Sequence, residues 1–180
     1  ITFAELCDFK NNIFIFSGAN GSDIFSLISQ NQFSLAEKTV ENYLKYFGDN
    51  FNFEIQNINN QGEKDVADFI FSVSSHKGIP VVATNDVLFL KKSDYEAHDA
   101  KVCINTGQIL NDSSRENPYK QEQYFKSAKE MHEIFEQFPE ALSNSLEIAK
   151  QCNVNLNPKG YLLPNYPVPK KHDYDSLLRE

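Results

Sequence analysis

The chain has 180 residues, 41% of them hydrophobic, which is length and apolar content enough for one domain with a sizeable core. A formal net charge of −8 excludes a broadly basic surface that would grip nucleic acid by phosphate neutralisation alone. Cys7, Cys103 and Cys152 are spaced for neither a disulfide framework nor a zinc motif, and no apolar run approaches the roughly 20 residues of a spanning helix, so a reducing cytoplasm is the expected location.

In chain order, Thr2 followed by Glu5 gives the reciprocal spacing of a capping box and predicts a helix start. The same spacing recurs at Ser34 with Glu37, Ser93 with Glu96, and Ser127 with Glu130. Residues 13–17 form a short apolar run that reads as a buried strand. After it, Ser17-Gly18-Ala19-Asn20-Gly21 resembles a phosphate-cradling loop ahead of a short helix over 24–28. It lacks the Lys-Ser/Thr ending of a P-loop and the G-x-G-x-x-G spacing, so a plain strand-to-helix turn is the expectation.

Ala36, Val40, Tyr43, Leu44 and Phe47 form a helical stripe ended by Gly48, and Val66, Phe69, Ile70 and Val73 form another before Gly78. Between them Phe51, Phe53 and Ile55 alternate as in a strand. Residues 78–86, GIPVVATND, then read as a buried parallel strand over 80–84 that stops at Asn85-Asp86. Strand, helix and strand in this order imply right-handed crossovers and a parallel sheet. Ser17-Gly18, Gln56-Asn57 and Asn85-Asp86 should therefore leave the sheet at one carboxyl-end face, where a site would lie.

Asp86 is the best candidate for a metal or polar contact, although an Asp just beyond a strand also caps turns through its own side chain. Leu88 and Phe89 after it read as core. The histidines form no constellation: His76 suits the end of its helix, His98 shares a face with Asp94 and could pair with it, and His132 and His172 read as solvated. No His-x-His or His-x-x-x-His spacing occurs, and Asp8, Asp49 and Asp65 receive no role.

Residues 108–123 are polar and loop-like; Met131, Ile134, Phe135 and Phe138 mark one helix, and Leu142, Leu146 and Ala149 another after Pro139. Residues 153–169 read as an extended connector, and the chain opens without methionine and stops as a further helix begins, as an excised fragment would.

GIPVVATNDV, AHD at 97–99, INTG at 104–107, YFKSAKEMHEIFEQFPEAL, EIAKQCNV and the terminal YLLPNYPVP stand in one order. Together they resemble the alpha subunits of bacterial DNA polymerase III, in the later part of their N-terminal polymerase-and-histidinol-phosphatase (PHP) domain. The resemblance implies an α/β fold, part of a distorted (β/α)7 barrel with parallel strands, followed by a helical segment and an extended tail. It implies later PHP barrel over 1–107, a loop and helical segment completing the PHP region over 108–152, and a connector toward the palm over 153–180.

Some family members carry metal ligands at the barrel mouth. The late Asp-x-His pair falls on Asp86 and Leu88, keeping the aspartate and losing the histidine, and a cysteine ligand falls on Ala19. The resemblance thus implies a metal-free scaffold with Asp86 as a vestigial ligand, no cofactor in this segment, and Mg in the palm of the parent polymerase. It also implies a parent that makes DNA by nucleotidyl transfer, works with other replicase subunits including the proofreading exonuclease, and touches DNA through other domains. The rivals are an active metal-dependent phosphoesterase, releasing pyrophosphate or a mismatched 3′ end, and a pure docking module for the exonuclease. An open sheet edge makes a dimer of the isolated piece an expectation.

Overall fold

In a computed structural model, residues 2–58, 61–112, 114–115, 117–155, 157, 160 and 166–179 are described. The first helix, α1 (Phe3–Asp8), starts on the predicted box: the Glu5 N–H donates to Thr2 Oγ1 at 3.3 Å and the Thr2 N–H to Glu5 Oε2 at 2.7 Å. Strand β1 is confined to Ile15–Phe16, shorter than the apolar run suggested. Helices α2 (Asp23–Ser29) and α3 (Phe33–Phe47) lead to β2 (Phe51–Ile55); α4 (Glu63–Lys77) leads to β3 (Val81–Ala83).

Two of the four predicted boxes do not form. Helix α3 starts one residue before Ser34, because Gln32 is its N-cap through its carbonyl, which accepts from Ala36 N–H at 3.0 Å. Phe33 thereby enters the helix and stacks on Phe69 at 6.3 Å, an apolar gain that the cap pattern could not reveal. Near Ser93 a 3-10 turn, Lys92–Asp94, precedes α5 (Tyr95–Thr106), and Asp94 Oδ2 accepts from Lys91 N–H at 3.0 Å in place of the Ser93 and Glu96 exchange. Gly78, at φ 69°, ends α4 as predicted, its N–H donating to the Ser74 carbonyl at 2.8 Å.

The sheet has order β1-β2-β3 and is parallel throughout, with Ile15 beside Phe51 and Phe53 beside Val81. Alternation therefore sets Phe51, Phe53, Ile55, Val81 and Ala83 on one face. These join Ile24, Ile28, Ala36, Val40, Val66 and Ile70 in a single buried cluster, so both crossovers pack on that face. The other face carries Phe16, Asn52, Glu54, Val82 and Thr84. Asn52 and Val82 are as buried as the core, so the middle of the sheet is covered on this face too.

The outer edge of β3 is closed by side chains rather than by a strand. On α7 (Pro139–Gln151), Asn144 Nδ2 donates to the Val81 carbonyl at 2.9 Å, and Ser145 Oγ accepts from the Ala83 N–H at 3.2 Å. Pro139 occupies the first turn of α7, as its fixed φ and missing donor favour. The preceding α6 (Ala128–Ile134) stops before Phe135 and Phe138, which the periodicity had placed inside it. A short α8 (Tyr174–Arg179) follows, and most of YLLPNYPVP lies outside the described residues. Among the described residues no helix is long and apolar enough to cross a membrane.

The glycine loop after β1 turns directly into α2. Gly18 has φ 72°, and a Cβ there would stand 2.8 Å from Ser22 Cβ, while Ser22 caps α2 by accepting from Phe25 N–H at 3.1 Å. Gly18→Ala is therefore expected to lose about 1–3 kcal/mol through strain and a disturbed cap, read as a lower urea midpoint at an unchanged slope.

Candidate functional site

Beyond β3 the chain makes a turn built around Asp86. Its φ of 30° is rare for a residue with a side chain, though Asp tolerates this region better than most. Gln123, only 3% exposed, fixes the turn: its Nε2 donates to Asp86 Oδ2 at 2.6 Å, its Oε1 accepts from Lys120 N–H at 2.7 Å, and its carbonyl accepts from Leu88 N–H at 2.8 Å. Phe125 N–H returns to the Phe89 carbonyl at 2.9 Å, and Phe89 pairs with Tyr124 in an isolated bridge. Phe89 is buried as expected. Leu88 is 39% exposed, because the bridge alternates neighbouring side chains and turns it outward.

Asn85 and Lys126 lie beneath this turn. Asn85 Nδ2 donates to the carbonyls of Glu122 at 3.2 Å and Tyr124 at 2.7 Å, while its Oδ1 accepts from Lys126 Nζ at 3.0 Å. The Lys126 side chain is 1% exposed; it also bonds the Glu122 carbonyl and lies 3.4 Å from Glu122 Oε2 and 4.3 Å from the centre of the Tyr124 ring. Burial pushes this ammonium below the usual lysine range, against the pull of Glu122. Glu122 is itself held low, first by Lys92, whose Nζ is 2.5 Å away. Tyr124 Oη donates to Glu130 Oε1 at 2.7 Å. With the Ser127 hydroxyl and this phenol, Glu130 is pulled down to about 2, and Tyr124 is pushed up to about 12.

On α5, Asp99 of the AHD motif accepts both guanidinium arms of Arg115 at 2.6 Å. Asn117 Nδ2 adds bonds to Asp99 Oδ1 and to Tyr95 Oη, each at 2.9 Å. His98 does not pair with Asp94; its ring lies 4.9 Å from that of Tyr119 and 5.4 Å from that of Phe89, and Asp94 is engaged by Lys91. His76 and His132 each place Nδ1 2.7 Å from the carbonyl four residues earlier, and His132 is exposed as expected. At the ends of β1 and β2, Ser17 Oγ accepts from Glu54 N–H at 2.9 Å, Glu54 accepts from the Thr84 hydroxyl, and Gln56 Nε2 donates to Thr84 Oγ1 at 3.0 Å.

The parallel strands thus bring Ser17, Gln56 and Asn85-Asp86 to one face, as predicted. Asp86 is the only predicted ligand on it, for Ala19 and Leu88 offer no donor atom. Among the described residues no group of three or more His, Cys, Asp or Glu gathers as a metal site would require. The residues that organise the face, Gln123, Lys126 and Arg115, were missed from sequence. Arg115 did carry a signal: it is one of two arginines in a chain otherwise using lysine, and a planar fork is what a bidentate carboxylate partner selects.

No protein-family model matches the chain. It is 37% identical over 173 residues to the DNA polymerase III subunit alpha of Xylella fastidiosa (strain Temecula1), covering 96% of this chain and 14% of that protein. It is 36% identical over 163 residues to the protein of the same name from Pseudomonas aeruginosa, covering 91% and 14%, and 33% identical over 174 residues to that of Escherichia coli K12, covering 97% and 15%. The chain spans about one seventh of the length of these relatives.

Proposed function

From the premise that this chain belongs with the bacterial DNA polymerase III alpha subunits it matches along nearly all its length, we propose that it is a structural, metal-free segment of such a replicative polymerase. The segment forms the later strands of a PHP-type (β/α)7 barrel over 1–107, completes that region over 108–152 and leaves toward the palm over 153–180. Crossovers on one face of the sheet, with Glu54 and Thr84 on the other, agree with a barrel whose helices lie outside. The parent enzyme joins nucleotides by DNA-directed synthesis in the cytoplasm. Its Mg, its contacts with DNA and its replicase partners, the proofreading exonuclease among them, belong to that parent reading.

One observation carries the scaffold role: the Asp86 carboxylate is engaged by the Gln123 amide, in a turn whose neighbour Leu88 supplies no ligand atom. A working phosphoesterase would need carboxylates and imidazoles converging on metal. The test is to measure zinc and manganese bound to the purified chain and its hydrolysis of phosphate esters. Neither stoichiometric metal nor hydrolysis is expected, and a metal lost on Asp86→Asn together with hydrolysis would overturn the reading. Grafted in place of the matched segment of the Xylella fastidiosa relative, the chain is expected to retain primer extension; a folded chimera without synthesis would count against kinship of role.

A further inference from the structure

The Lys126 ammonium has three N–H donors, and three oxygens face it: Asn85 Oδ1, the Glu122 carbonyl and Glu122 Oε2. The Tyr124 ring closes a fourth side at 4.3 Å. Every group in this shell belongs either to the exit of β3 or to the returning segment 122–124. A desolvated charge is costly, so an ammonium persists at 1% side-chain exposure only where its surroundings replace water donor by donor. This shell does so. Its Asn85 amide then ties down the carbonyls on either side of Gln123, whose own amide reaches the Asp86 carboxylate.

We infer that Lys126 is the positioning cation of this face, an internal ammonium that orders the Asn85-Asp86 turn, and that shortening it to alanine opens a site for a primary alkylammonium ion. The inference deepens the scaffold reading and rests on it for its meaning, since it gives a resident side chain the ordering role that a bound metal would otherwise fill. Primary amines are specified by the three acceptors. A quaternary ammonium could face the ring but has nothing to donate to the oxygens.

The experiment compares the wild-type chain with Lys126→Ala in n-propylammonium and in tetramethylammonium chloride at equal ionic strength. Thermal midpoints are read beside the side-chain amide resonances of Asn85 and Gln123. Lys126→Ala is expected to melt about 5 °C lower, with both resonances shifted. Propylammonium should restore roughly half of the loss and leave the wild type unmoved, while tetramethylammonium restores nothing. Unchanged resonances and midpoint, or equal recovery by both cations, would overturn the assignment.

Should the alanine variant fail to fold, Lys126→Arg and Lys126→Met decide: resonances kept by arginine and lost by methionine support the cation, and so does folding of the arginine variant alone. Methionine with native resonances, or collapse of the arginine variant along with the others, refutes it. Stoichiometric metal on the wild type would sink the scaffold reading yet leave this ammonium in place; a silent Lys126→Ala would do the reverse.

Discussion

Phe53→Ala is expected to remove about 3–5 kcal/mol of stability, a large share of the roughly 5–15 kcal/mol of a typical domain. Phe53 has no exposed surface and stands at the centre of β2, the middle strand, so alanine leaves a cavity between the sheet and the helices packed on its face. The backbone there has little room to collapse, because its Phe53 N–H donates to the Pro80 carbonyl at 2.9 Å and its ring meets Phe51 edge-on at 5.6 Å. Urea unfolding followed by circular dichroism gives the number. A loss below about 1 kcal/mol would mean that the apolar face of the sheet is not the stabilising core.

That core was legible because it is written in periods. The stripes Ala36-Val40-Phe47 and Val66-Ile70-Val73 repeat at helical spacing, and the apolar run before Asn85 fits a strand covered on both faces. Parallel pairing followed from element order alone, and so did the face on which Asp86 emerges. The candidate face was legible only in part. Its organising bonds join residues far apart in the chain: Gln123 to Asp86 across 37 positions, Lys126 to Asn85 across 41, and Arg115 to Asp99 across 16. No local pattern encodes such pairings. The two failed capping boxes teach a related lesson, since Ser34 and Ser93 carry the right spacing, but stacking Phe33 on Phe69 and tightening the turn at Lys92–Asp94 moved the helix starts.

Asp99→Ala is expected to lower the thermal midpoint by about 10 °C near neutral pH. Arg115 places both guanidinium arms on Asp99, and the two side chains are 8% and 11% exposed, so deleting the carboxylate leaves a charge that is neither paired nor hydrated. Asn117 Nδ2 loses one of its two acceptors as well, keeping only Tyr95 Oη on α5. The sign of the pH dependence follows from Arg115, whose hydrogen bonds hold the Asp99 carboxyl below the usual carboxylate range despite burial. A depressed folded value means that the carboxylate's contribution is complete above the unfolded value of about 3.9 and is lost as pH falls through the lower, folded one. The gap in midpoint between wild type and Asp99→Ala should therefore stay level from pH 7 to about 5 and narrow below about 4, whereas a purely steric role for Asp99 would leave it constant.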